Sequence, residues 1–239
     1  MKIVLRIGGS VLFPDFSENQ VRLNEYAETI KEVAQQTEKF VVVVGGGALA
    51  RFYIHLIDEF TTSYTKDLFG IKVARLNAQI FREITSEKAP NLRIRRSIAY
   101  NANEIVEGLD LYDVFFAGGF HPGQSTTGVA AIIAEAIKAD LLAIVTDVRG
   151  VYDKNPKHKD AKRFEEIHVR RLIEILASSK AKAGTYELVD LPALKIIQRA
   201  HIQTIVFDGR TSRNVKEVLH AYSQGNFGRV KQLGTLIKY

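Results

Sequence analysis

The stretch Phe40-Val41-Val42-Val43-Val44-Gly45-Gly46-Gly47 constrains this chain more than any other. Five consecutive apolar residues, four of them β-branched, read as a strand buried on both faces, the kind that fills the interior of a parallel sheet. Three glycines end it, and Ala48-Leu49-Ala50-Arg51-Phe52-Tyr53-Ile54 then turns to helical spacing. A strand that ends in glycines and opens a helix brings bare backbone N–H groups to a helix N-terminus, where an anion can bind. A tight structural turn accounts for one such triplet equally well, so the other strand ends decide.

Two of them share the pattern. Lys2 to Ile7 reads as a first strand that stops at Gly8-Gly9-Ser10, with cationic Arg6 just before the turn. Asp113 to Ala117 reads as another, running into Gly118-Gly119-Phe120-His121-Pro122-Gly123-Gln124-Ser125-Thr126-Thr127. The helix Val129 to Lys138 follows, with Ser125, Thr126 or Thr127 available as its N-cap. Further strands are expected at Leu141 to Val145, Thr204 to Phe207 and Gly234 to Ile237. Helices are expected at Leu23 to Gln36, Arg51 to Phe60, Gly70 to Ile84, His168 to Ala177 and Val215 to Tyr222. Thr61 to Thr65 reads as a polar loop, with Asp67 heading the helix that follows it. Asp190, with Pro192 in the first turn, reads as the N-cap of one more helix, to Arg199. Residues 85 to 112 give no clear pattern. Strands alternating with helices predict an α/β fold, a three-layer αβα sandwich with a mainly parallel central sheet. In such sheets ligands bind beyond the carboxyl ends of the strands, where all three glycine turns fall.

Composition narrows the function classes. The chain has 239 residues, 46% of them hydrophobic and 25% charged, ordinary values for a soluble globular protein. It has no cysteine, which rules out a disulfide framework and a thiolate metal site. No signal-peptide pattern and no apolar run of roughly 20 residues is present, so a cytoplasmic protein is expected. The net charge of +6 is spread out, with Arg93-Ile94-Arg95-Arg96 the only tight group, most simply a solvated face. Without an aromatic and basic recognition module, nucleic acid is not an expected partner, whereas polyanionic small molecules suit the charge. The six histidines lack metal-ligand spacing, and no metal ligand is assigned.

The glycine turns match neither the dinucleotide fingerprint G-x-G-x-x-G nor a G-x-x-x-x-G-K-[ST] loop. Three of them offer more phosphate-cradling backbone than one anion needs. Two phosphorylated ligands meeting head to head account for the number, and that arrangement suits phosphoryl transfer.

Arg6-Ile7-Gly8-Gly9-Ser10, Gly45-Gly46-Gly47 with Arg51, Asp67 before a helix, and the run Gly118 to Thr126 together resemble the amino acid kinase family. Thr146-Asp147-Val148-Arg149-Gly150-Val151-Tyr152 and Ala183-Gly184-Thr185-Tyr186-Glu187-Leu188-Val189-Asp190 extend the likeness. Within the family the chain is most similar to the archaeal-type uridylate kinase branch, nearly end to end. The Gly-Gly-Phe-His-Pro-Gly-Gln-Ser-Thr loop and the Ala-Gly-Thr-Tyr-Glu-Leu-Val-Asp segment are specific to that branch; the separate glycine turns are not.

The resemblance implies the amino acid kinase fold, one domain over 1–239 with an acceptor-binding part about 1–140 and an ATP-binding part about 141–239. It implies transfer of the γ-phosphoryl of ATP to UMP in pyrimidine nucleotide synthesis, with Mg2+ accompanying ATP, in a homohexamer built from dimers. Arg6 and Asp190 would be catalytic. Gly9, Ser10, Gly47, Arg51, Thr146, Asp147, Tyr152 and Asn155 would face ATP. Gly46, Asp67, Phe120, His121, Pro122, Gly123, Gln124, Ser125 and Thr126 would hold UMP, Asp67 through the ribose hydroxyls. Three positions depart from the pattern: Arg6 where many relatives have lysine, Arg149 where an acidic residue is usual, and Asn155-Pro156 in place of Asp-Pro.

Plainer readings stand beside these. Arg51 is also explained as a solvated residue on the first turn of its helix, and Asp67 as a cap. Asp190 serves as an N-cap with or without catalysis, and His121 reads as a loop residue offering its main chain. Two other functions stay open on the sequence. One is a related kinase acting on carbamate, acetylglutamate, an aspartate or isopentenyl phosphate. The other is a nucleotide-binding storage or regulatory assembly with weak catalysis, for which the departures at Arg6, Arg149 and Asn155 speak.

Overall fold

The computed structural model describes residues 1–15, 19–179 and 189–239, the side chains of 178 and 179 excepted. The segment Ala183 to Leu188, on which part of the family likeness rests, lies outside the described residues, as does most of the loop before it.

Among the described residues the chain runs β1 (Lys2–Ile7), α1 (Gly9–Leu12), α2 (Gln20–Ala34), β2 (Lys39–Val44), α3 (Gly47–Leu56), α4 (Ser63–Lys88), α5 (Ala102–Gly108) and β3 (Val114–Ala117). It continues with α6 (Thr126–Ala136), β4 (Leu141–Thr146), β5 (Glu166–His168), α7 (Val169–Ser179), α8 (Leu191–Ala200), β6 (Thr204–Asp208), α9 (Ser212–Ser223), α10 (Phe227–Leu233) and β7 (Gly234–Lys238). One seven-stranded sheet has the order β3-β2-β1-β4-β6-β7-β5. Only the β6–β7 pair is antiparallel. The expected α/β sandwich with a mainly parallel sheet is what the chain forms.

The pleat sorts the strand residues. Ile3, Leu5, Ile7, Phe40, Val42 and Val44 pack with Tyr26, Ile30, Phe81 and Val215 from α2, α4 and α9 on one face. Val4, Val41 and Val43 pack with Val129, Ile133, Leu172 and Leu194 from α6, α7 and α8 on the other. Because successive side chains on a strand point to opposite faces, a continuous apolar run is what a sheet covered on both sides requires. Phe40 to Val44 are all 0% exposed, and burial of each such side chain contributes about 1.5–3 kcal/mol. That core holds the strand ends still.

The structure corrects the sequence reading around Asp67. The second helix begins at Ser63, well before Gly70; α4 is one helix of 26 residues, and the loop before it is 57–62. Thr62 caps it, its hydroxyl accepting from the Thr65 N–H at 3.5 Å, so the polar run Thr62 to Thr65 starts the helix instead of preceding it. Asp67 therefore lies in the second turn. Gly70 does not break the helix, although a glycine there costs about 1 kcal/mol relative to alanine. Contacts along α3, with Ile54 3.6 Å from where a Gly70 Cβ would sit, offset that cost. Residues 85 to 112, illegible in sequence, contain α5 and two single bridges, Ile94 to Val114 and Ala99 to Ala117, that flank the edge strand β3. Arg93 and Arg95 are not merely solvated: they pair with Asp113 and Glu104 at 2.6 and 2.8 Å.

Candidate active site

The carboxyl ends of β1, β2, β3 and β4 lie side by side in the sheet, so the loops that follow them meet. The first two loops touch through their backbones. A Cβ on Gly9 would overlap the Gly47 nitrogen, and one on Gly47 would lie 2.6 Å from the Phe13 oxygen and 2.7 Å from the Gly9 oxygen. Gly47 has φ +65°, a conformation that favours glycine. Glycine is needed at both positions so that two main chains can share the space in front of the strands. Gly9 opens the short helix α1 and Gly47 opens α3, so both loops are also helix N-termini, the arrangement expected for anion binding.

These loops line a cavity of about 240 Å³ bounded by Arg6, Ser10, Gly46, Arg51, Thr126 and Thr146 as well as Gly9 and Gly47. A second cavity of similar size adjoins it, lined by Asp67, Gly70, Ile71, Gly119 and Gln124, and shares Gly46, Gly47, Arg51 and Thr126 with the first. Two chambers meeting at Arg51 and Thr126 are the head-to-head geometry that two phosphorylated ligands require.

Arg6 reaches into the first chamber from the strand. Its Nε and Nη2 donate to the Thr126 hydroxyl oxygen at 3.3 and 3.2 Å. Burial lowers its pKa to about 10, while the charges of Asp190 and Asp147 work in the opposite sense. Among the described residues no carboxylate closes an ion pair with it within 4 Å, so its charge is held for something else. Arg51 is exposed, in the second turn of α3 and not the first, and its side chain has no hydrogen bond or ion pair among the described residues. A cation at each side of a bare-backbone cradle is suited to phosphate oxygens.

Asp190 sits at the N-cap position of α8 with φ −72° and ψ 156°, yet its side chain does not cap that helix. It accepts from the Ser125 hydroxyl at 2.8 Å, and the Ser125 oxygen in turn accepts from the Gly128 N–H at 2.9 Å, capping α6. The carboxylate is thereby aimed across the cleft mouth, next to Thr126. Asp67 accepts from the Gly123 N–H at 2.7 Å, which ties the loop after β3 to α4 and leaves its other oxygen available.

The other residues expected at the site divide. Thr146 is nearly buried and donates to Asp147, which is exposed beside it, at 3.2 Å. Phe120 is a buried core residue whose carbonyl, not its ring, faces a polar partner. His121 and Pro122 line neither chamber, and Gly123 enters through its N–H alone. Tyr152 forms a bridge with Arg163, and Asn155 accepts from the Lys157 N–H at 3.0 Å in a local turn; neither lines a chamber. Gly118 and Gly119 are glycines for a packing reason: a Cβ on Gly118 would sit 2.6 Å from the Arg75 nitrogen, and one on Gly119 2.9 Å from Ile71.

Two residues on α4 escaped the sequence reading. Asn77, buried on α4 between Ala74 and Ala78, donates to the carbonyls of Gly45 and Gly46 at 3.0 Å each. With those carbonyls turned inward, the neighbouring N–H groups stay free to face the cleft. Arg75 does the same for the loop after β3, donating to the Gly119 and Phe120 carbonyls at 2.9 and 3.0 Å. The available signal was a polar side chain at a core-facing position between Ala74 and Ala78.

Arg210 and Asp208 also belong to this end of the sheet. Arg210 grips Asp208 with two nitrogens, at 3.0 and 2.5 Å, and feels the charges of Asp147 and Tyr152. Burial pushes the Asp208 carboxyl up, but the Arg210 fork, its N–H and Arg149 together leave it below its ordinary value. Arg149, the departure from the family pattern, is thus close enough for its charge to act on Asp208.

The fold and the cleft define a class. A profile of the amino acid kinase family matches residues 1–208, and the chain belongs to that family. Among individual proteins, one named uridylate kinase from Sulfurisphaera tokodaii is 38% identical over 229 residues, covering 95% of this chain and 98% of its own length. Another of that name, from Archaeoglobus fulgidus, is 40% identical over 220 residues, covering 91% of this chain and 95% of its own. The crystal structure of uridylate kinase from Archaeoglobus fulgidus superposes with a TM-score of 0.82 at 35% identity, covering 99% of this chain and all of the other.

Proposed function

We propose that the chain is an ATP-dependent uridylate kinase, transferring the γ-phosphoryl of ATP to UMP to give UDP and ADP. The observation that carries this reading is the pair of chambers meeting at Arg51 and Thr126, with Arg6 in the first of them bonded to Thr126. The names of full-length relatives at 38–40% identity support it. UMP would occupy the chamber with Asp67, its ribose hydroxyls donating to the free carboxylate oxygen and its phosphate towards Arg51 and Gly46. ATP would lie on the side of Gly9, Ser10, Gly47, Thr146 and Asp147. Residues about 1–140 would then hold the acceptor while also lending Gly9, Ser10 and Gly47 to ATP, and about 141–239 would form the rest of the ATP-binding part.

A UMP phosphate oxygen forms a bond to the γ-phosphorus as the bond to the β,γ-bridging oxygen breaks, the electron pair leaving with ADP. The attacking phosphate is already ionised at neutral pH, so no general base is needed. Positioning and charge neutralisation carry the rate. Arg6 and the glycine N–H groups would neutralise charge on the transferring group. Among the described residues no group of three or more His, Asp or Glu side chains gathers. Asp190 and Asp147, the two carboxylates whose charges act on Arg6, would hold a magnesium ion carried by the nucleotide, which keeps most of its own water. When bound, that ion supplies charge neutralisation on the phosphates.

The same reading carries a cytoplasmic setting and a homohexamer. Among the described residues no helix is long and apolar enough to cross a membrane. Exposed Phe52, Leu56, Phe60, Tyr64 and Leu76 along α3 and α4, Phe60 83% accessible, support self-association. Steady-state phosphorylation of an acceptor panel with MgATP tests the function. UMP should exceed CMP, AMP and GMP in kcat/KM by at least about tenfold. Parity of AMP or GMP with UMP would overturn the assignment.

A further inference from the structure

The loop from Gly118 to Ser125 has almost no backbone pairing of its own; its single internal main-chain bond is Gln124 to His121 at 3.2 Å. Yet it supplies Gly119 and Gln124 to the acceptor chamber and Gly123 to Asp67. Its conformation must therefore be imposed from outside. Asp67 holds the far end. The near end is held by Arg75, whose Nε and Nη2 donate to consecutive carbonyls at 2.9 and 3.0 Å. Arg75 forms no ion pair among the described residues; its other contact is the ring of Tyr100, 4.5 Å from the guanidinium carbon. Tyr100 is half exposed, and its main chain is anchored next to Asn101, which caps α5 by accepting from the Glu104 N–H at 3.0 Å.

We propose that Arg75, oriented by Tyr100, is a positioning residue that sets affinity for the acceptor nucleotide by fixing the loop after β3, without touching the nucleotide. A planar fork is needed to span two carbonyls, and an ammonium cannot replace it. Stacking on an aromatic face keeps that fork in one orientation. The inference rests on the acceptor being UMP in the chamber that holds Asp67. ATP, on the far side of Arg51, should not sense the change.

Kinetics of the full chain with UMP and MgATP, read with thermal unfolding of each variant, test it. Arg75→Lys should raise the KM for UMP about tenfold, with KM for ATP within about twofold of the parent. Tyr100→Leu should give a smaller rise of the same selectivity, and Tyr100→Phe, which keeps the ring, should restore the parent value. A UMP KM unchanged in both Arg75→Lys and Tyr100→Leu overturns the inference. So does an equal rise in both KM values that tracks a lowered Tm, since that marks a structural role alone. If Arg75→Lys fails to fold, the Tyr100 pair decides. A parent that leaves UMP unphosphorylated refutes the proposed function itself, and this is read before any variant.

Discussion

The Thr126 hydroxyl oxygen accepts from two nitrogens of Arg6, at 3.3 and 3.2 Å, across 120 residues of sequence. This contact fastens the loop that follows β3 to the end of β1. It also orients a guanidinium that burial has made expensive to keep charged. Thr126→Val keeps the shape and removes the acceptor. The expected result is a kcat lowered by about tenfold with both KM values nearly constant, because an Arg6 free to rotate is misplaced for transfer more than for binding. Stopped-time product assays with each nucleotide varied in turn measure it.

Asp67→Asn should act on the acceptor. The amide oxygen can still accept from Gly123, so the loop stays tied, but the charge offered to ribose hydroxyls is gone. KM for UMP is expected to rise by the equivalent of about 1–3 kcal/mol, with KM for ATP unchanged. An unaltered KM for UMP removes Asp67 from the site.

Gly9→Ala tests the contact between the glycine loops. The added carbon would overlap the Gly47 main chain, which has no flexible end to give way. Overpacking of this kind typically costs about 1–3 kcal/mol, and urea unfolding should register it. Activity should fall further than stability, because the loops that separate are the ones that cradle phosphate.

Asp208 gives a pH dependence of stability. Its folded pKa lies below the 3.8 of an unfolded carboxylate, so its stabilising contribution is fully present above pH 3.8 and is lost as pH falls through the lower folded value. Asp208→Asn should therefore lower Tm at pH about 6, and the gap to the parent should narrow below the unfolded value and close below the lower folded one. A gap that widened in acid would contradict the direction of the shift.

Much of this was legible in the sequence, for a definite reason. Phe40 to Val44 and the three strand-end glycine turns advertise a doubly covered parallel sheet and its binding edge, since periodicity and turn chemistry are local. Long-range pairings were not legible. Nothing in the sequence around Asp190 indicates that Ser125 would take its carboxylate away from the helix it heads. The continuity of α4 through Gly70 depends on packing against α3. Gly118 and Gly119 look like phosphate turns, and the packing of α4 across them is a second reason for glycine that the sequence does not show. Arg75 and Asn77 fall inside the expected helix Gly70 to Ile84 and drew no reading of their own, though a polar residue amid Ala74, Ala78 and Phe81 was the available sign. Tyr152 and Asn155 were placed by resemblance, and their local pairings keep them out of both chambers.

On the proposed function, phosphoryl transfer takes place in the cleft at the ends of β1 and β2, with Arg6 stabilising the transferring group. At pH 7–8 the Arg6 side chain is charged, since its pKa remains about 10. Turnover and nucleotide affinity of Arg6→Ala and Arg6→Lys, measured on the same preparations, test this most directly. The account predicts a kcat reduced by about 10²–10³ in Arg6→Ala, a much smaller loss of ATP and UMP affinity, and a measurable part of the activity kept by Arg6→Lys. Turnover of Arg6→Ala within about a factor of two of the parent would contradict it.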